Sequence, residues 1–177
     1  MLDRGFIKEQ ADLLRVSASQ NEAPIDVSRI AEHANAQILY KDLEDSVSGF
    51  LLIKDGKKII VINDTHHINR KRFTIAHELG HLILHAKDSD EDLFMDKEQV
   101  YNRNISSATG MHPQEIEANQ FAATLLMPED LLRAALVEEG NFLEDYEGVN
   151  DSLGVLAKKF SVSQQALSNR VSRLLIN

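Results

Sequence analysis

Apolar positions recur at helical spacing over residues 2–19 and again over 26–34, where Asp26 stands in the N-cap position of the second run. The period then changes. Residues 37–43, 47–54 and 58–63 are short, apolar-rich runs, and Asp55-Gly56 between the last two is a hairpin signal. From 70 to 86 no proline interrupts a longer run in which Phe73, Ile75, Ala76, Leu79, Leu82, Ile83 and Leu84 surround a few polar positions. This reads as a largely buried helix. A second such helix can start at Pro113 and must end by Pro128. Helices flanking a small, mostly antiparallel sheet make an α+β domain.

The polar positions inside the buried helix carry the chemistry. His77-Glu78-Leu79-Gly80-His81 places two histidines four residues apart, one turn above each other on one face, which is zinc-ligand spacing. Glu78, directly after the first histidine, can take a proton from a water on that ion and so act as the general base of a hydrolase. The plain alternative is a chance match on a structural helix. Two histidines in an apolar helix need partners, however, and one shared ion satisfies both. Gly80 costs up to about 1 kcal/mol against alanine within a helix, so something is expected to pack closely there.

A catalytic zinc takes three protein ligands and keeps one position open. His85 is the nearest candidate, but it lies about 12 Å of helix rise from His77, and a straight helix cannot bring residues 77, 81 and 85 to one ion. The long HExxHxxGxxH pattern is also absent, with Leu84 and Lys87 at its remaining positions. The second helix offers Glu115 and Glu117, which sit about 200° apart, so only one of them can face the metal. Glu115 shares its face with Ala118, Asn119 and Ala122, small or polar residues that admit another helix, and Asn119 can steady a ligand. Glu115 is therefore the expected third ligand. Glu117 is the alternative, and a solvated helix face is expected for whichever glutamate is not the ligand.

The run Arg72-Phe73-Thr74-Ile75-Ala76-His77-Glu78-Leu79-Gly80-His81, followed about thirty residues later by Glu115-Ile116-Glu117-Ala118-Asn119-Gln120-Phe121-Ala122 and Leu125-Leu126-Met127-Pro128, resembles the ImmA/IrrE family of metallo-endopeptidases. The paired motifs are far more specific than HExxH alone. The resemblance implies a zincin-like core, maps the ligands onto His77, His81 and Glu115, and maps the base onto Glu78. It further implies regulated cleavage of a repressor-like DNA-binding protein, in particular a helix-turn-helix repressor. The cofactor expected is Zn2+, with Mn2+ as the alternative.

Composition narrows the setting. The chain has 177 residues, no cysteine and a net charge of −9. Disulfides and thiolate metal sites are excluded, leaving histidine and carboxylate donors. Charges through the first twenty residues leave no h-region of a secretory signal, and no apolar run approaches a membrane span, so a cytoplasmic protein with no membrane partner is expected. The stretch from Glu138 to Asp151 is acidic, whereas from Val155 onward Lys158, Lys159, Arg170 and Arg173 stand without any acid. The expected organisation is a zincin-like metallopeptidase domain over 1–137, an acidic connecting loop over 138–152, and C-terminal helices over 153–177.

Those last helices have helix-turn-helix form, with Val162 packing the turn and Ser163 capping the second helix. Ala166, Leu167, Val171, Leu174 and Leu175 are expected to face inward, and Gln164, Gln165, Ser168, Asn169 and Arg173 outward. The outward set has the chemistry of a DNA-reading helix, but four basic residues give few phosphate contacts in an acidic chain. Packing against the protease or a partner is the favoured reading. The rival function is a metal-binding transcriptional regulator that acts through these helices without proteolysis. The segment 87–112, polar and without clear periodicity beyond 93–100, suits a flap or wall over the cleft. Tyr101 and His112 within it are candidate donors to a tetrahedral oxyanion, a role left unassigned.

Overall fold

A computed structural model describes residues 1–86, 91–97, 113–139 and 149–176. Helix α1 (Arg4–Ser17) starts where the Asp3 carboxylate accepts from the backbone N–H of Gly5 and Phe6, and it buries Ile7, Ala11 and Arg15 at intervals of four. Helix α2 (Val27–His33) is capped as its sequence predicts, by Asp26 accepting from Ser28 and Arg29. Strands β1 (Ala36–Lys41), β2 (Val47–Lys54) and β3 (Lys57–Asn63) follow. The β2–β3 hairpin closes through Asp55 and Gly56, both with positive φ, which is the backbone a two-residue turn between right-twisted strands needs.

The sheet is mixed, in the order β1-β3-β2-β4. β1 runs parallel to β3, so the expectation of a mostly antiparallel sheet holds for the β2 pairings and not for the β1 edge. The chain leaves β1 at Lys41 and reaches β2 at Val47 by passing over the C-terminal end of β3. Asn63 at that end makes the passage possible. Its buried amide nitrogen donates to the carbonyls of Leu43, Glu44 and Val47, and its Oδ1 accepts from Thr65 Oγ1 at 2.8 Å. The crossing backbone thus finds partners away from water. β4 (Glu91–Lys97) pairs antiparallel with β2 and was not foreseen, because only part of its run has apolar periodicity.

Helix α3 (Ile68–Leu84) crosses the sheet, seated where β2 has Gly49. A Cβ there would lie 2.5 Å from the Val61 carbonyl oxygen of β3 and 2.7 Å from Thr74 Cγ2 of α3, so glycine is required by the neighbouring strand as well as by the helix. Helix α4 (Pro113–Leu126) begins at one expected proline and ends ahead of the other, and Pro128 then serves as N-cap of α5 (Glu129–Glu138), a helix beyond those the pattern predicts. Helices α6 (Val149–Phe160) and α7 (Gln164–Ile176) close the described chain. No described helix is long and apolar enough to cross a membrane.

One apolar cluster runs from Ile7, Ile30 and Ile60 through Leu79 and Phe121 to Leu156, Phe160, Leu167 and Val171, so α6 and α7 share the core with the sheet. Arg72 fastens them there, donating to the carbonyls of Ser161 and Ile25. Val162 is buried in the turn, and Ser163 Oγ accepts from Ala166 N–H at 3.1 Å. Leu175, expected inward, is exposed, because the helix has by then outrun the core that covers Leu167 and Val171.

Replacing Asn63 by alanine strands several buried carbonyls and should lower the unfolding free energy by about 2–4 kcal/mol. The measurement is a urea midpoint at unchanged slope. A loss below roughly 0.5 kcal/mol would mean that the 42–46 crossing closes without this side chain.

Candidate metal centre

His77 and His81 stand on one face of α3, both buried in a helix whose other buried residues include Ile75, Ala76, Leu79 and Leu82. Their rings meet edge to face, with Nε2 atoms 3.0 Å apart. The orientation of His77 has a cause outside α3. Its Nδ1 lies 3.1 Å from Asn119 Oδ1 on α4. An amide oxygen only accepts, so Nδ1 carries a proton and Nε2 is the ring nitrogen turned toward His81.

Helix α4 can bring a third group because its packing face is small. A Cβ on Gly80 would lie 3.0 Å from Ala118 Cα and 3.2 Å from both Ala118 O and Phe121 Cβ, so the close neighbour implied by Gly80 is α4 itself. Ala118 and Ala122 are fully buried in this contact. At that separation Glu115 sets its Oε2 3.3 Å from His77 Nε2 and its Oε1 3.3 Å from His81 Nε2. Hydrogen bonding to His77, and then to His81, holds the Glu115 carboxyl far below the ordinary carboxylate range despite opposing desolvation.

Among the described residues, His77, His81 and Glu115 form a group whose candidate ligand atoms all lie within 4.8 Å of one another. The separations suit an ion. Donors bound tetrahedrally at 2.0–2.1 Å stand about 3.3 Å apart, close to the three distances here. Two neutral imidazoles and one carboxylate are the donor set of a divalent cation that keeps an open position. Solvent reaches the group from the Glu115 side, whose side chain is 37% exposed while those of the histidines are almost wholly covered. Glu78, the expected base, follows His77 on the same helix and is completely buried.

Glu117 is turned away from this group, as the 200° separation requires, but it is not solvated. It is only 4% exposed; one oxygen accepts the backbone N–H of Leu2 and the other lies 3.6 Å from His85 Nε2. The expectation of a solvated face fails because α1 and the end of α3 cover that side of α4. His85 stays apart from the triangle too. Its Nε2 lies 3.3 Å from the carbonyl of Gln114, and burial, reinforced by His81, lowers its pKa so that the neutral ring is favoured. Sequence spacing gave no signal for this contact, because its acceptor is a backbone atom. Tyr101 and His112, the oxyanion candidates, lie outside the described residues, as do most of the expected flap and residues 140–148 of the acidic stretch.

Comparison with known proteins agrees with this geometry. A family profile described as the IrrE N-terminal-like domain, a peptidase family, matches residues 31–172. The chain is 35% identical over 107 residues to the radiation response metalloprotease IrrE of Deinococcus radiodurans, covering 59% of this chain and 28% of that protein. It is 29% identical over 100 residues to the uncharacterized immunity region protein 2 of Bacillus phage phi105, covering 56% of this chain and 57% of the relative. The chain thus aligns with less than two thirds of either relative.

The two glutamates of α4 should separate in experiment. Glu117→Ala removes a buried acceptor and should cost about 1–3 kcal/mol of stability in a urea melt. Glu115→Ala removes a partly exposed acceptor shared by the two histidines and should cost the metal-free protein less than Glu117→Ala does. Equal effects would contradict the different surroundings described for the two side chains.

Proposed function

Because the chain belongs to the ImmA/IrrE family of metallopeptidases, we propose that it is a zinc-dependent endopeptidase that cleaves a repressor-like, helix-turn-helix DNA-binding protein in the cytoplasm. The observation that carries this reading is the triangle of His77, His81 and Glu115 beside the buried Glu78. His77, His81 and Glu115 hold the ion, and Asn119 keeps His77 in the tautomer that can do so. When bound, zinc supplies Lewis acidity to a water and to the scissile carbonyl, and two neutral imidazoles with one carboxylate leave it a net positive charge. Glu78 accepts the proton of the attacking water and returns it to the amide nitrogen as the C–N bond breaks. Burial of both histidines keeps solvent from their rings. Manganese is the alternative metal; imidazole donors favour zinc.

The substrate class has separate support. A peptidase acts on protein, and a relative from a phage immunity region fits control of a regulator. The net charge of −9 favours encounter with a basic partner, as DNA-binding proteins are. The rival reading, a regulator that binds DNA through α6 and α7, is less favoured. Of the four basic residues there, Arg170 donates to the Met127 carbonyl and Lys159 pairs with Glu138 at 2.6 Å, leaving few for phosphates.

The test uses purified protein and a candidate helix-turn-helix repressor. Glu78→Gln should retain its zinc by elemental analysis while cleavage falls by about 10²-fold or more. A Glu78→Gln protein that cleaves at the wild-type rate, or a wild type that binds no divalent metal, overturns the reading. Asn119→Ala should weaken zinc binding by about 10–100-fold in a chelator competition, because His77 loses the partner that sets its tautomer. Unchanged affinity would remove Asn119 from the site.

A further inference from the structure

Glu115 stands at the third position of α4, within the first turn. The backbone N–H groups of a first turn have no partner within their own helix, so this turn is held least by the helix and most by what it touches. A ligand there must nevertheless be placed within about 0.5 Å of its working position. Besides His77 and His81, which meet the Glu115 carboxylate, α3 reaches the backbone of this turn through His85.

His85 closes α3 as its C-cap, one turn beyond His81, with the two rings 5.5 Å apart. Its Nε2 lies 3.3 Å from the carbonyl oxygen of Gln114, the residue immediately before Glu115. A carbonyl only accepts, so the proton sits on Nε2 and the bond runs from α3 to α4. The same Nε2 lies 3.6 Å from one Glu117 oxygen, beyond hydrogen-bond reach, while the other Glu117 oxygen accepts the Leu2 backbone N–H. Gly80 against Ala118 sets the distance between the two helices. The His85 bond fixes the start of α4 against the end of α3.

We infer that His85 is a positioning residue for the metal centre: by holding the Gln114 carbonyl, it places the Glu115 carboxylate against His77 and His81. This rests on the proposal that Glu115 is a ligand. His85 itself contributes no donor atom to the ion, and its effect passes through the backbone of residue 114.

The test measures Zn2+ affinity by chelator competition, the visible spectrum of the Co2+ form, and the urea midpoint of the metal-free protein. His85→Phe keeps a ring and loses the donor; His85→Gln retains an N–H that can reach the carbonyl; His85→Asn has one too short to reach it. His85→Phe and His85→Asn should each bind Zn2+ about 10–100-fold more weakly and shift the Co2+ bands, while His85→Gln should return to within about threefold of wild type. A purely structural role would lower the urea midpoint and leave both metal readouts unmoved, and that result overturns the inference. So does a His85→Gln affinity no better than that of His85→Asn; this comparison decides the matter should His85→Phe fail to fold. Glu115→Ala serves as the control. If it binds Zn2+ as tightly as wild type, the ligand assignment fails, a result distinct from failure of His85 alone.

Discussion

The close approach of α3 and α4 at Gly80 and Ala118 is the constraint on which the rest of the site depends. The histidines come from one helix and the carboxylate from the other, so the distance between two backbones decides whether three donors meet. With 3.0 Å separating a notional Cβ on Gly80 from Ala118 Cα, a side chain there would have to push the two backbones apart by a few tenths of an ångström. Glycine is an unfavourable helix residue by about 1 kcal/mol, and its place in the middle of the helix makes sense as a geometric requirement. Phe121, fully buried one turn along, fills the space that the small residues leave.

The sheet supports this helix pair from below by a similar device. Gly49 lets α3 settle against β2 at Thr74, and Asn63 satisfies the backbone that must cross over β3. Both depend on removing bulk or unmet polarity at one point so that a long element can lie flat. Apolar burial then provides most of the stabilisation, through Ile60, Ile62, Ile75, Leu79 and Leu125. The buried polar groups specify position instead. His77 is set by Asn119, His85 reaches the Gln114 carbonyl, and Arg72 ties the α6–α7 turn to the chain before α2.

Much of this was legible before any coordinates. Asp26 caps α2, Asp55-Gly56 turns the hairpin, and Pro113 and Pro128 bound α4, because each acts through local backbone chemistry. The small face of α4 and the oddity of Gly80 pointed to a helix contact. What escaped was non-local. The parallel pairing of β1 with β3 depends on which strand lies beside which, and a five-residue connection usually joins strands that are neighbours. β4 lacks a strong period of its own, and α5 follows a proline that reads first as a stop.

Spacing by itself determined that His77 and His81 share a face and that Glu115 and Glu117 cannot, because helical rotation per residue is a property of the backbone. Composition also narrowed the residue chemistry of the site, since a chain without cysteine can offer a metal no thiolate. Tertiary structure alone decided the surroundings of each group. Glu117 became buried when α1 and the end of α3 closed over it, His85 found a carbonyl, and Leu175 was left in water. Burial is a property of what packs against a residue, and neighbours distant in sequence leave no mark on its local pattern.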